Sequence, residues 1–170
     1  MKKLHLLLFC ALAFSFSNIS AQLKIGYVDS DAIMKKLPDA QDAQKKIDAQ
    51  INEWEKELDK LDKKWKEKFD DYERRKLIMS KQKRAEFEKE LIALEQESEK
   101  FKQSKFGSNG ELFTKQEELM KPIQNQVFTA IEEVAVENEL DFIFDRSGDM
   151  IFLYAKEEYD LTSEVLSKLQ

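Results

Sequence analysis

The stretch "IDAQINEWEKELDKLDKKW", residues 47–65, decides how this chain folds, because its apolar side chains recur at alternating spacings of four and three residues. That spacing places them on one stripe of an α-helix, which is the seam of a coiled coil. The stripe skips one position, which Lys68 occupies, before it ends. The seam residues are Ile47, Ile51, Trp54, Leu58, Leu61, Trp65 and Tyr72. Such a seam needs a second helix to pack against.

A second stripe of the same kind follows further along the chain. It consists of Phe87, Leu91, Leu94 and Phe101, with Ser98 as a weak layer. Between Pro38 and Phe106 there is neither glycine nor proline, so no residue interrupts a helix through its backbone. The two stripes therefore predict a long antiparallel coiled-coil hairpin.

Two segments compete for the turn of this hairpin, "LIMSKQKR" at residues 77–84 and "FGSNG" at residues 106–110. A turn at "FGSNG" would leave a returning helix of only about 40 Å, at about 1.5 Å per residue. Most of the outgoing seam would then have no partner. A turn at "LIMSKQKR" gives matched legs instead, because Pro38 precedes Ser80 by 42 residues and Pro122 follows it by 42.

We therefore predict the tip of the hairpin at about residues 77–80, with Ser80 as the cap of the returning helix. The segment at residues 107–110 is then a joint in the returning leg. It is a helix stop and restart, with Gly107 or Gly110 at a positive φ, and it is compatible with a hinge that lets the outer arm swing.

The first residues predict a secretory signal peptide. Lys2 and Lys3 precede an apolar run from Leu4 to Phe16, and the small polar segment "SNISA" follows. We place the cleavage after Ala21, so that residues 1–21 are removed and the mature protein is exported.

Loss of the signal peptide removes the chain's single cysteine, Cys10, and its single histidine, His5. Disulfides, Cys/His zinc sites and Ser-His-Asp triads are thereby excluded from the mature chain. Its carboxylates recur along helices, where a solvated face is the usual explanation. We expect no catalytic residue, no metal, no cofactor and no enzymatic activity.

The parts on either side of the hairpin predict a small β-sheet. "KIGYVD" (residues 24–29) is a strand candidate, and "LDFIFD" and "MIFLYA" predict a β-hairpin joined by "RSGD". We assign residues 22–37 and 122–170 to this body and residues 38–121 to the arm. The fold class is α+β, mostly α.

So small a sheet cannot bury its apolar side chains alone. We expect other copies of the chain to cover it, which predicts a homo-oligomer. The side chains expected to lie in this oligomer body are Ile25, Tyr27, Phe142, Phe144, Ile151 and Leu153.

The charge is distributed unevenly along the chain. Removing residues 1–21 takes away two lysines and no acid, which changes the net charge from −6 to −8. Residues 60–84 nevertheless carry 11 basic and 5 acidic side chains. We expect no nucleic-acid partner, because the mature chain as a whole is acidic.

The positive segment surrounds apolar residues at the predicted tip. These residues could contact clients or transiently touch a membrane surface, or they could close the hairpin by packing on Phe87 and Tyr72. Phe69 lies off the seam and is a further candidate for contact. The contact candidates are Phe69, Arg74, Arg75, Lys76, Leu77, Ile78, Met79, Lys81, Lys83 and Arg84.

The order of these parts resembles the Skp/OmpH family of periplasmic chaperones over essentially all of the mature chain. The segments that carry the resemblance are "KIGYVDSDAIM", the charged hairpin, "KFGSNGELF", "LMKPIQNQVFTAIEEVA", "LDFIFDRSGDMIFLYA" and "YDLTSEVLSKL". The resemblance implies a trimer whose arms enclose a cavity for unfolded outer-membrane β-barrel proteins. It also implies a holdase that works without ATP.

One departure from the family is the charge. Its best-known members are basic, whereas this chain is acidic, so we carry over no lipopolysaccharide site. The alternative to a chaperone is a structural coiled-coil tether or assembly protein of the cell envelope. A lipid-surface or nucleic-acid binder acting through residues 60–84 would differ from both by a steep dependence on salt.

Overall fold

The computed structural model describes residues 23–148 and 153–170. The predicted signal peptide, residues 1–21, and the body candidate Ile151 lie outside these residues. The strands are β1 (Ile25–Val28) and β2 (Phe142–Asp145). The helices are α1 (Ser30–Lys36), α2 (Pro38–Arg75), α3 (Lys81–Phe106), α4 (Glu111–Glu137) and α5 (Thr162–Lys168). A 3₁₀ turn covers Glu157–Tyr159.

Helices α2 and α3 form the antiparallel hairpin that the two stripes predict. The Trp54 ring lies edge-on to the Phe106 ring, and further out the Tyr72 ring stacks on the Phe87 ring. Seam side chains are buried between the helices, with Trp54 and Leu61 each 8% exposed and Phe87 6% exposed. With 38 residues, α2 is about 57 Å long.

The turn between α2 and α3 consists of residues 76–80 and contains no glycine. Helix α2 ends with the Lys76 N–H bonded to the Tyr72 carbonyl. Helix α3 begins with the Ser80 hydroxyl accepting a hydrogen bond from the Lys83 N–H at 3.2 Å. That bond satisfies one of the free N–H groups at the helix start, so α3 begins directly after a turn that has no glycine.

The joint between α3 and α4 has a different physical basis from the predicted one. Neither glycine is in the left-handed region, since φ is −62° at Gly107 and −76° at Gly110. The expectation of a positive φ was therefore wrong. A Cβ on Gly107 would lie only 2.4 Å from the Gln103 carbonyl oxygen, so close approach of the backbone excludes a side chain there.

The body is closed by its own helices on one face. Helix α4 runs through Pro122 without a break and packs with α1, α5 and the first turns of α2. Ile33, Val134 and Val165 are fully buried in this core. The core thus lies inside a single chain, and the other face of the sheet leaves Ile25 and Phe142 exposed.

The sheet is parallel, with Ile25 opposite Phe142 and Tyr27 opposite Phe144. The turn end and the first half of the second strand of the predicted hairpin of "LDFIFD" with "MIFLYA" lie outside the described residues, so that hairpin stays a prediction. Residues 149–152 lie outside them, and residues 153–155 form a bend and irregular chain instead of a strand. The β2 edge is bonded to β1, since the Asp141 N–H donates to the Lys24 carbonyl and the Arg146 N–H to the Val28 carbonyl.

Local hydrogen bonds also end β2. The Asp145 carboxylate accepts hydrogen bonds from the Ser147 N–H at 3.0 Å and the Ser147 hydroxyl at 2.8 Å. An aspartate that bonds the backbone two residues later turns the chain and competes with a continued strand. Leu153, a predicted member of the sheet, lies in a bend and is 96% exposed.

Candidate functional site

The arm tip presents two apolar side chains to solvent. Leu77 is 89% exposed and Ile78 is 86% exposed, while Met79 is half-buried. Neither Leu77 nor Ile78 therefore closes the hairpin by packing on Phe87. Polar contacts hold the tip together in their place.

The first of these contacts links the end of α2 to α3. The Tyr72 hydroxyl donates a 2.6 Å hydrogen bond to Glu88, and this bond raises the pKa of Tyr72 above its usual range. The Lys68 ammonium lies 4.1 Å from the centre of the Phe87 ring and pairs with Glu90. The hydrogen bond from Lys68 lowers the pKa of Glu90. Lys68, at the skipped seam position, thus covers Phe87 with its own side chain.

The cations around the tip are partly neutralised by neighbouring carboxylates. Arg75 lies 3.2 Å from Asp71, and Lys76 lies 2.7 Å from Glu73. Arg74 is 3.8 Å from the same aspartate, and Lys83 is 2.8 Å from Glu86, whose hydrogen bond raises the pKa of Lys83. Within residues 23–148 and 153–170, Lys81 and Arg84 form no ion pair. The net positive charge of the tip therefore lies on the α3 side.

Phe69 lies in the outer part of the arm, less than two turns from the end of α2. Its ring is 36% exposed and stacks on the Trp65 ring, with 5.0 Å between centroids and an interplanar angle of 8°. Ile92 of α3 lines the same side of the arm as Trp65 and is 53% exposed. Sequence reasoning missed Ile92, although its position beside the seam residue Leu91 could have indicated an outward-facing side chain.

The second candidate surface is the open face of the sheet. Ile25 is 39% and Phe142 is 53% exposed there, and the Phe142 and Phe144 rings stack on each other. A groove of about 730 Å³ runs along this face, lined in part by Leu23, Ile25, Phe144, Tyr154 and Tyr159. Tyr27 differs from these residues because it is only 5% exposed in the single chain.

Asp145 connects the sheet to α1. Its carboxylate accepts hydrogen bonds from the Ser30 N–H at 3.1 Å and the Ser30 hydroxyl at 2.5 Å, in addition to those from Ser147. Burial raises the pKa of this carboxyl, but the hydrogen bonds together outweigh burial and leave the pKa below its usual value. The contact fixes the start of α1 against the end of β2.

Residues 23–148 and 153–170 contain neither a candidate membrane-spanning helix nor a candidate metal site. No helix in these ranges has the length and apolar character to cross a membrane. No group of three or more His, Cys, Asp or Glu side chains is arranged to hold a metal ion in them.

A family profile and a solved structure each match most of this chain. A family profile described as "Outer membrane protein (OmpH-like)" matches residues 24–169. A solved structure from Caulobacter crescentus CB15, named as a candidate outer membrane chaperone (OmpH-like), superposes with a TM-score of 0.68 at 14% identity. The superposition covers 88% of this chain and 85% of that chain, and it shows a shared fold. No curated protein matches the sequence.

Proposed function

This chain belongs to the OmpH-like family. We propose that it is an ATP-independent holdase of the periplasm. Its clients are unfolded outer-membrane β-barrel proteins, which it holds between helical arms until they insert. The observation that carries this proposal is the exposure of Leu77 and Ile78 at the end of the helical arm.

The proposed assembly is a trimer joined through the open face of the sheet. Ile25, Phe142 and the groove beside them are apolar and lie opposite the core of the body. Covering such a surface with the same surface of other copies removes apolar side chains from water. The number of three comes from the family resemblance, and it gives the arms a common origin around a cavity.

The proposed holding mechanism uses many weak contacts. Each apolar contact contributes on the order of 1 kcal/mol before the entropy of ordering is subtracted. Affinity then comes from several arms that act on one client, and individual contacts exchange quickly. Clients of varied sequence are accepted, and the greater stability of the inserted barrel drives their release.

A direct test is light scattering from a denatured outer-membrane barrel protein diluted out of urea. Increasing amounts of residues 22–170 are added without ATP, at low and at high salt. We expect suppression of aggregation near three chains per client, and we expect it to persist in high salt because the contacts are apolar. Absence of suppression would reject the holdase and favour the structural tether of the envelope.

The arm tip also supports a transient contact with a membrane surface. Exposed Leu77 and Ile78 beside Lys81 and Arg84 combine apolar and cationic side chains, the combination that favours an anionic lipid surface. Flotation of residues 22–170 with anionic vesicles tests this contact. Binding that vanishes in high salt while client holding remains would separate the two roles of the tip.

A further inference from the structure

An open groove of about 550 Å³ lies between α2 and α3, beside the outer half of α2. Trp65 of α2 and Ile92 of α3 form its apolar part, and Phe69 stacks on Trp65. We call this the Trp65 groove. Its volume is within the range of roughly 300–1,000 Å³ in which proteins bind small ligands, so one or two large side chains fit.

The rim of the Trp65 groove is acidic. Asp62, Glu95 and Glu99 line it with carboxylates, and Lys102 is the cation among its lining residues. The Ser98 hydroxyl donates a 2.8 Å hydrogen bond to Asp62 and holds this carboxylate at the groove. A charged rim around an exposed apolar centre selects ligands of the opposite charge.

A neighbouring groove of the same hairpin lacks this combination. That groove is lined by Lys64 and Lys68 together with acidic residues and contains no aromatic side chain. Lys68 and Glu90 are paired with each other across it. Its remaining charges are Lys64, Glu67 and Asp71, and Asp71 is paired with Arg75, so the groove offers little unbalanced charge and no aromatic surface.

We propose that the Trp65 groove binds unfolded polypeptide segments in which an apolar side chain is flanked by lysine or arginine. The apolar side chain covers Trp65 and Ile92, and the flanking cations pair with Glu95, Glu99 and Asp62. This inference rests on the proposed holdase function and specifies which client segments the arm selects. The excess of carboxylates among the lining residues attracts such segments locally.

The chain contains two tryptophans, and their environments allow a selective reporter. Trp54 is 8% exposed against Phe106, whereas Trp65 lines the groove. Trp54→Phe keeps a ring in the seam and leaves Trp65 as the single indole. The fluorescence emission of Trp65 is followed during titration with two capped peptides. Both peptides contain the same apolar core, which is flanked by lysines in one and by glutamates in the other.

We expect the lysine-flanked peptide to shift the emission of Trp65 and to bind about fivefold more tightly at low salt, as for a few exposed ion pairs. High salt should reduce this preference towards unity, while binding of the apolar core remains. Fluorescence anisotropy of labelled peptides with the unsubstituted chain measures the same preference and does not depend on folding of the Trp54→Phe variant.

Charge reversal tests the rim. Glu95→Lys with Glu99→Lys should invert the preference so that the glutamate-flanked peptide binds more tightly. The control, Glu55→Lys with Glu97→Lys, changes the net charge equally at exposed positions that do not line the groove, and it should keep the original preference. Ile92→Ser should weaken the binding of both peptides.

Equal affinity for the two peptides, or an unchanged preference after the reversal at Glu95 and Glu99, would overturn the inference. A second copy's tip could instead occupy the groove, which would also overturn the inference. In that case the emission of Trp65 would change with protein concentration in the absence of peptide, and the Leu77→Ser/Ile78→Ser variant would lose this change. Light scattering on the same proteins separates the two proposals. Normal suppression without peptide preference rejects the groove alone, and peptide preference without suppression rejects the holdase alone.

Discussion

At the scale of the residue, the arm joint and the arm tip use side chains in opposite ways. Gly107 is required by lack of space, because a Cβ would meet the Gln103 carbonyl oxygen at 2.4 Å. Leu77 and Ile78 have space on all sides and contribute little to folding. A substitution at the joint therefore acts on stability, and a substitution at the tip acts on contact with other molecules.

Gly107→Ala should destabilise the chain by about 1–2 kcal/mol, because the new Cβ forces the backbone at the end of α3 to move. Gly148→Ala is the matched control, since its nearest heavy atom would be 3.9 Å away and its φ is not positive. That control should be neutral or stabilising by up to about 1 kcal/mol. Urea unfolding of both variants measures the difference, and equal stabilities would show that the joint has room for a side chain.

Leu77→Ser with Ile78→Ser should leave the free energy of unfolding within about 0.5 kcal/mol of the original, because both side chains are exposed. The client-holding capacity in light scattering should fall about twofold if the tip is one of a few contact regions. Phe87→Ala is the contrasting variant, since loss of this buried ring should cost about 3 kcal/mol. Unchanged holding with the tip variant would assign client contact to other parts of the arm.

At the scale of the element, polar side chains fix how helices and strands meet. Ser98, the weak layer of the second stripe, is 6% exposed and bonds to Asp62 of the opposite helix, so its hydroxyl is satisfied. A buried polar group that needs one particular partner opposes a shift in register. Asp145 has the same effect in the body, where it joins the end of β2 to the start of α1.

Asp145→Asn should lower stability at pH 7 by about 1 kcal/mol, after allowance for the solvent exposure of the carboxylate. The pKa of Asp145 is below its ordinary value of 3.8 in the folded chain. Its stabilising effect is therefore present above that value and is lost as the pH falls through the lowered folded pKa. Urea unfolding from pH 7 to pH 3 should show the variant and the original converging, whereas Glu132→Gln, at an exposed position on α4, should show no such trend.

At the scale of the whole molecule, one chain builds a closed core on one side of its sheet and leaves an apolar face on the other. The core around Ile33, Val134 and Val165 is complete within the chain. On the open face Ile25 and Phe142 stay exposed within the described residues, although Tyr27 is buried. This division lets the body fold with its own helices and still favours association through the sheet.

Ile25→Asp with Phe142→Ser should shift the sedimentation of residues 22–170 from an oligomer towards a monomer, since a charge on an apolar contact surface disfavours burial. Helical content should remain near the original, because neither side chain belongs to the core cluster. Ile92→Ser, on the arm, is the matched control and should keep the oligomer. An oligomer that survives the double substitution would place the self-association surface elsewhere.

The sequence by itself determined the two long helices and their antiparallel seam, because heptad spacing and the absence of glycine and proline are local properties of the chain. The prediction that Trp54 and Phe87 face inward is confirmed by their burial. Only the tertiary structure decided that β1 pairs in parallel with β2, since this pairing joins residues from opposite ends of the chain. The sequence likewise did not show why position 107 needs a glycine, or that Trp65 and Ile92 line one groove. Each depends on distances between atoms that spacing along the chain does not encode.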